Sequence, residues 1–125
     1  MFQVCVEAHF DAAHFLRDYQ GKCANLHGHR WNVEVVVEGP ELDELGMLVD
    51  FGEIKPVLAR SLKELDHSLL NDFPFFGPEG VNPTAENLAL FLFQEIKRDL
   101  PLAQKSIAWV KVYESPETWA IYKED

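Results

Sequence analysis

Three histidines in the first thirty residues could bind a metal ion. His27 and His29 lie two residues apart at the start of a strand-like segment, and alternate residues of a strand project from one face. His14 ends an earlier apolar segment and could provide a third imidazole. Three histidine ligands without a fourth protein ligand are typical of a catalytic zinc ion with an open coordination position. On the pattern alone, the alternative is a group of surface histidines beside a turn.

Cys23 lies four residues before His27 and could act as a base or as a nucleophile. A nearby metal ion favours the thiolate form of a cysteine, which is the reactive form. A single cysteine is otherwise typical of a small buried apolar side chain. The sequence therefore predicts a role in catalysis only if the histidines bind a metal.

Two further positions carry carboxylates that could take part in chemistry. Asp66 precedes His67 near the end of a predicted helix, where a carboxylate can orient an imidazole and stabilise its charged form. Neighbouring residues of a helix point in different directions, so the same step could simply face solvent. Glu114 follows Val110 and Val112 on one face of a predicted strand. It either anchors the N–H groups of a ligand or is a charge at the end of a strand.

The elements that must position these side chains follow from the spacing of apolar residues. Apolar residues alternate in two N-terminal and two C-terminal segments, whereas two central segments show helical spacing. Asp50 and Thr84 are suitable N-caps, and Pro56 favours a regular first helix that begins near Lys55. The order ββααββ predicts an α+β fold in which a four-stranded antiparallel sheet is covered on one face by two helices. We predict strands over 2–10, 29–38, 107–114 and 119–123, and helices over 50–70 and 84–100.

The composition excludes several classes of protein. A chain of 125 residues of which 47% are hydrophobic predicts a single folded domain, 1–125. A formal charge of −10 argues against nucleic acid or an acidic membrane surface as a partner. The N-terminus lacks the features of a signal peptide, and no apolar run has the roughly 20 residues that span a bilayer. Two cysteines are too few for a disulfide framework, so we expect a cytoplasmic protein.

Six short motifs occur in an order that is far more specific than any one of them. Together they resemble the 6-pyruvoyl-tetrahydropterin synthase superfamily, and most closely its branch that forms 6-carboxytetrahydropterin in queuosine (7-deazapurine) biosynthesis. The resemblance extends from Phe2 to Tyr122. The motifs are Phe-x-Ala-Ala-His, Cys-x-x-Leu-His-Gly-His, Val-Asp-Phe-Gly-Glu-Ile-Lys, Leu-Asp-His-x-x-Leu-Asn, Asn-Pro-Thr-Ala-Glu-Asn and Glu-Ser-Pro.

The resemblance implies a tunnelling fold (T-fold), a homohexamer built as a dimer of trimers, and 7,8-dihydroneopterin triphosphate as the substrate. It implies a zinc ion (Zn²⁺) held by three histidines, and a cysteine that acts as general base with the help of an Asp-His pair. It also implies a glutamate that holds the pterin ring. The matching positions are His14, His27 and His29 for zinc, Cys23, Asp66 and His67 for catalysis, and Glu114 for the pterin.

The number of residues between Cys23 and His27 bears on which branch of the superfamily the chain resembles. Three residues separate Cys23 from His27, as in the carboxy-forming branch. The animal pyruvoyl-forming enzymes usually have a longer gap between the cysteine and the first histidine. A third branch has glutamate in place of the cysteine. A pyruvoyl-forming synthase and a non-catalytic zinc- or pterin-binding module remain as alternatives. Thr84 and Glu86 could line the ring pocket from a neighbouring subunit, although Thr84 is equally explained as a helix cap. The candidates for the triphosphate are Lys22, Arg17 and Arg30, which flank the metal motif.

Overall fold

Two helices pack on one face of a five-stranded sheet. A computed structural model describes residues 1–125. Short 3₁₀ turns lie at Lys22–Ala24, Leu70–Asp72 and Pro74–Phe76. The strands are β1 (Phe2–His14), β2 (His27–Gly39), β3 (Ser68–Leu69), β4 (Ser106–Ser115) and β5 (Thr118–Tyr122), and the helices are α1 (Phe51–Lys63) and α2 (Ala85–Asp99).

The sheet differs from the predicted one in having a short parallel strand at its edge. Its order is β3-β1-β2-β4-β5, and β3 pairs in parallel with β1 at Ala12 and Ala13. The predicted α+β class with two helices is correct, but the prediction of four antiparallel strands is wrong. A strand of two residues is too short to show alternation, and its sequence was included in the predicted first helix.

Most of the core lies between the helices and the face formed by the even residues of β1 and the odd residues of β2. The two strands pair without interruption from Phe2 opposite Gly39 to His14 opposite His27. The predicted inward face of β2 is confirmed, since Trp31, Val33, Val35 and Val37 are all buried. They belong to one apolar cluster of 26 residues that includes side chains from both helices.

Both predicted helix caps are present. The Asp50 side chain accepts a hydrogen bond from the Gly52 N–H at the start of α1, and Thr84 accepts one from the Asn87 N–H at the start of α2. The expectation that α1 begins near Lys55 is wrong, because the helix begins at Phe51 and contains Pro56. The one bond that a proline cannot donate would go to the Gly52 carbonyl, which lies in an exposed first turn open to water. Neither helix has the length and apolar character needed to cross a bilayer.

Candidate metal centre and active site

The pairing of β1 with β2 places the three histidines on the same face of the sheet. His14 lies directly opposite His27, and His29 lies opposite Ala12, two residues along each strand. Residues directly opposite each other in an antiparallel pair share a face, as do residues two apart. The possible ligand atoms of His14, His27 and His29 lie within 4.8 Å of one another. The three rings therefore converge on one point, and His14 is buried and does not lie at the surface.

The hydrogen bonds of two of these rings leave their Nε2 atoms free for a metal. His14 Nδ1 lies 2.7 Å from the Pro83 carbonyl oxygen, and His27 Nδ1 lies 2.6 Å from the Asn25 carbonyl oxygen. A carbonyl oxygen can only accept, so each Nδ1 must carry the proton. In the neutral rings, two Nε2 lone pairs then face each other at 3.0 Å. Neither neutral ring can donate a hydrogen bond to the other. A cation between the two Nε2 atoms would relieve the repulsion between their lone pairs.

His29 provides an independent sign of a metal site. Its Nε2 atom is buried and has no hydrogen-bond partner, which is rare for a polar atom in a protein interior. Burial lowers the pKa of His29, with an opposing contribution from Glu114, and burial also lowers the pKa of His14. Both rings are thereby kept neutral, which is the form that binds metals. The three residues fit a divalent transition metal with imidazole ligands.

Trp31 forms the boundary between this cluster and the apolar core. Its indole lies edge-on to the rings of His14 and His29, with centroids 4.9 and 5.2 Å away. Its Nε1 donates a hydrogen bond to the Ala12 carbonyl at 3.2 Å. Packing against a fixed aromatic side chain restricts the rotamers of the two histidines and keeps water from the inner side of the cluster.

Glu114 lies beside the histidine cluster. Its Oε1 atom is 3.9 Å from His29 Nε2, and about a third of its side chain is exposed, 32%. It follows Val110 and Val112, both buried, along the inward face of β4. The structure thus agrees with the expectation that Glu114 continues an apolar face. The structure places the Glu114 carboxylate beside the histidine cluster, where it can contact a ligand bound there.

Asp66 and His67 lie in a turn after α1 and not in the helix where the sequence analysis placed them. His67 has a positive φ of 59°, and its N–H donates to the Asp11 carbonyl at 2.6 Å. The turn brings the two side chains together, with Asp66 Oδ2 3.0 Å from His67 Nδ1. The hydrogen bond from the Asp11 N–H to Asp66 lowers the pKa of that carboxyl, and the bond with His67 lowers it further. The sequence left open whether Asp66 touches the ring of His67, and the turn brings the two into contact.

One open groove lies beside this pair on the outward face of the sheet, opposite to the face on which the three histidines cluster. It has a volume of about 530 Å³, and both His29 and His67 line it, together with Asp11 and Arg30. The His67 side chain is largely exposed, 79%, so it can reach a molecule in the groove. The groove therefore exposes an imidazole whose other nitrogen is held by a carboxylate, on the face of the sheet away from the three clustered histidines.

Cys23 lies in the 3₁₀ turn Lys22–Ala24, between β1 and β2. Its thiol is free and partly exposed and does not belong to the cluster of metal-ligating atoms. The Cys23 carbonyl accepts a hydrogen bond from the Leu16 N–H at 2.9 Å. That bond ties the turn to the chain just beyond His14. Whether Cys23 stays outside the metal's ligand set remains a prediction.

The other predicted binding residues have different surroundings. Lys22 is exposed and Glu86 is exposed in the first turn of α2, and neither takes part in a side-chain hydrogen bond or an ion pair of this chain. Arg17 donates to the Phe76 carbonyl at 2.7 Å. Arg30 pairs with Asp11 at 3.1 Å. Lys22 is therefore the cation of the three that is free to meet an anionic ligand without losing an existing partner.

Sequence reasoning missed the groups that orient the site. The Pro83 and Asn25 carbonyls are backbone atoms, so no residue type could have indicated them. Asp11 pairs with Arg30, which lowers the pKa of the Asp11 carboxyl, and its backbone N–H holds Asp66. The alternation of side chains along the strand could indicate only that Asp11 points outward, away from the core.

Comparison with known proteins agrees with the motifs and the geometry. A family model described as 6-pyruvoyl tetrahydropterin synthase matches residues 3–125. A 6-carboxy-5,6,7,8-tetrahydropterin synthase of Rickettsia conorii is 37% identical over 123 residues, 86% of this chain and 89% of that protein. A dihydroneopterin monophosphate aldolase of Pyrococcus furiosus is 39% identical over 99 residues, 79% of this chain and 78% of that protein.

A solved structure shows the same fold. The 6-pyruvoyl tetrahydropterin synthase of Caenorhabditis elegans aligns with a TM-score of 0.84 and 29% identity, over 100% of this chain and 98% of that one. The predicted resemblance, and with it the prediction of an enzyme, is confirmed. The chain belongs to the 6-pyruvoyl tetrahydropterin synthase family.

Proposed function

We propose that this chain is a zinc-dependent lyase of queuosine biosynthesis. It converts 7,8-dihydroneopterin triphosphate to 6-carboxy-5,6,7,8-tetrahydropterin, with release of acetaldehyde and triphosphate. The observation that supports this best is the convergence of His14, His27 and His29, whose possible ligand atoms lie within 4.8 Å of one another. Relatives named for this product, such as the Rickettsia conorii enzyme, support the choice of reaction.

We assign the roles of the residues from their match to the family motifs. Zinc, when bound by His14, His27 and His29, supplies a Lewis acid that polarises the neighbouring hydroxyl groups of the substrate side chain. Cys23, as a thiolate, removes a proton from that side chain. His67 returns or relays the proton, and Asp66 stabilises the charged imidazole through their 3.0 Å contact.

Different residues would bind the two ends of the substrate, the pterin ring and the triphosphate. The Glu114 carboxylate can accept two parallel hydrogen bonds from the N–H and amino groups of a pterin ring. The triphosphate needs positive charge, although the whole chain carries −10. Lys22, which has no partner within the chain, is our candidate, and Thr84 and Glu86 are candidates for the ring pocket when a neighbouring subunit supplies them.

Three other outcomes are distinguishable by their products. A pyruvoyl-forming synthase releases triphosphate without breaking a carbon–carbon bond. The similarity to the Pyrococcus furiosus aldolase favours a further candidate, which cleaves the side chain of a dihydroneopterin phosphate and leaves the phosphate on the two-carbon fragment. A zinc- or pterin-binding module releases nothing.

The deciding experiment is incubation of the zinc-loaded protein with dihydroneopterin triphosphate and, in parallel, with the monophosphate. Chromatography with mass spectrometry identifies the pterin, and derivatisation traps the aldehydes. We expect carboxytetrahydropterin, acetaldehyde and triphosphate in equal amounts from the triphosphate. Triphosphate without an aldehyde, or a phosphorylated two-carbon aldehyde, would assign the chain to one of the alternatives.

His29→Ala should remove most of the bound zinc. Loss of an outer-shell partner alone costs about 10- to 100-fold in metal affinity, and a ligand contributes more. Zinc content after dialysis, together with competition against a chromophoric chelator, measures the loss. Asn32→Ala, an exposed residue of the same strand, is the control. Full zinc occupancy in His29→Ala would contradict the assigned ligand set.

Cys23→Ala should keep its fold and its zinc but lose most turnover. Removing a positioned acid–base group lowers kcat by about 10²–10⁴-fold. Steady-state kinetics and zinc content are measured on the same preparation, with Cys5→Ala as the matched control for the loss of a thiol. Normal turnover in Cys23→Ala would show that this thiol has no part in the reaction.

Glu114→Gln should weaken pterin binding without preventing folding. The variant loses a charge-assisted hydrogen bond worth roughly 1.5–3 kcal/mol, which corresponds to about ten- to a hundredfold in affinity. Calorimetry on the zinc-loaded variant separates this loss from any effect of Glu114 on the metal. Unchanged affinity would mean that another residue holds the ring.

We also expect an oligomer, because the sheet has two open edges, and the family resemblance implies a homohexamer. β1 pairs with β3 only at Ala12 and Ala13, and β5 has no outer neighbour. Phe2, Trp119 and Ile121 are exposed along these strands, and unpaired edges with apolar side chains favour association. Light scattering should give six times the mass of the chain. A stable monomer at micromolar concentration would refute the assembly.

A further inference from the structure

Two asparagine side chains hold the segment that follows the metal ligand His14. We call this segment, Phe15–Arg17, the strap. Phe15 donates its N–H to Asn71 Oδ1 and accepts from Asn71 Nδ2, both at 3.0 Å. Arg17 donates to Asn82 Oδ1 at 2.9 Å and accepts from Asn82 Nδ2 at 3.1 Å. Each amide thus makes the two bonds that a neighbouring strand would make.

The opposite edge of the strap is bound to the turn that contains Cys23. The Leu16 N–H donates to the Cys23 carbonyl at 2.9 Å, while its two neighbours in the chain bond to the asparagines. The strap therefore alternates as a strand does, with one edge on Asn71 and Asn82 and the other on the thiol turn. The position of Cys23 relative to His14 depends on this short segment.

Asn82 is itself fixed to the start of α2. Asn87 Nδ2 donates to the Asn82 carbonyl at 2.9 Å, and the Asn87 N–H donates to Thr84 Oγ1 at 3.1 Å. The next residue, Pro83, accepts the hydrogen bond from His14 Nδ1 at 2.7 Å. One short segment therefore contacts the ligand and the strap together. This arrangement accounts for a motif, Asn-Pro-Thr-Ala-Glu-Asn, whose asparagines have no role in the proposed chemistry.

Asn71 connects the strap with the other half of the site. It is buried, with 8% exposure, and lies in the 3₁₀ turn directly after β3, four residues from His67. A buried amide is stable only when its polar atoms are paired, and here the strap pairs both of them. Neither an apolar side chain nor a carboxylate could donate and accept in this way.

We propose that Asn71 and Asn82 are positioning residues, which hold His14 at the metal and keep the Cys23 turn at a set distance from it. The proposal rests on the proposed function for the roles of His14 and Cys23. Neither asparagine touches the reacting atoms. Their loss should loosen the metal ligand and the thiol turn together, because both are attached to the same three residues.

The test uses the full chain with Cys5→Ala, which leaves Cys23 as the only thiol among the two cysteines. In this background we compare Asn82→Ala and Asn82→Asp with Ile96→Val, a fully buried residue of α2. Zinc affinity is measured by chelator competition, the alkylation rate of Cys23 by iodoacetamide at one pH, and stability by thermal melting. Asn82 is preferred to Asn71 because it is partly exposed, so its variants should fold.

We expect Asn82→Ala to bind zinc more weakly, by no more than the roughly 10- to 100-fold that loss of a direct partner of a ligand costs, and to alkylate faster at Cys23. Asn82→Asp should be intermediate, because it still accepts from the Arg17 N–H. Ile96→Val should lower the melting temperature and leave zinc affinity and alkylation unchanged. Unchanged zinc affinity and alkylation in Asn82→Ala, or equal changes in Ile96→Val, would overturn the proposal.

Both readouts are taken without substrate, so they do not depend on which pterin product the enzyme forms. A wild-type protein that bound no zinc would contradict the proposed function. In that case the alkylation rate of Cys23 would still decide whether Asn82 positions the thiol turn.

Discussion

The register between β1 and β2 is the constraint on which the rest of the site depends. Thirteen consecutive pairs end with His14 opposite His27, and the same alternation that buries Trp31 and Val33 turns His29 inward. A slip of one residue would move every one of these side chains to the other face. The apolar core therefore sets the register, and the register assembles the three histidines that could hold a metal. Folding and the formation of this candidate metal site depend on the same pairing.

The histidine cluster lies where the core ends, and this location accounts for its electrostatic character. On one side the indole of Trp31 excludes water, and burial keeps His14 and His29 neutral. On the other side His27 and His29 remain partly exposed to solvent. The cluster is thus dry enough to favour neutral imidazoles and open enough to admit a ligand. Glu114 adds a negative charge at the rim of the site, which partly opposes the effect of burial on His29.

The contact between Asp66 and His67 depends on a different part of the fold. The chain leaves α1, turns at His67 with a positive φ, and runs beside the end of β1 as β3. Asp66 is held there by the Asp11 N–H, across 55 residues of sequence. The groove therefore forms where two separate stretches of chain meet at one sheet edge. The strap adds a third connection, because Asn71 follows β3 and binds Phe15 directly after His14.

The sequence alone determined the face of each long strand, both helix caps and the three histidines that could hold a metal, because these follow from local spacing. It also predicted that Glu114 continues the inward face of β4. Only the tertiary structure decided the contact between Asp66 and His67, the parallel strand β3, and the carbonyl partners of His14 and His27. These depend on residues far apart in the chain and on backbone atoms, which no residue type encodes. Asn71 and Asn82 were visible in their motifs, but asparagine is so common in turns that their role required the structure.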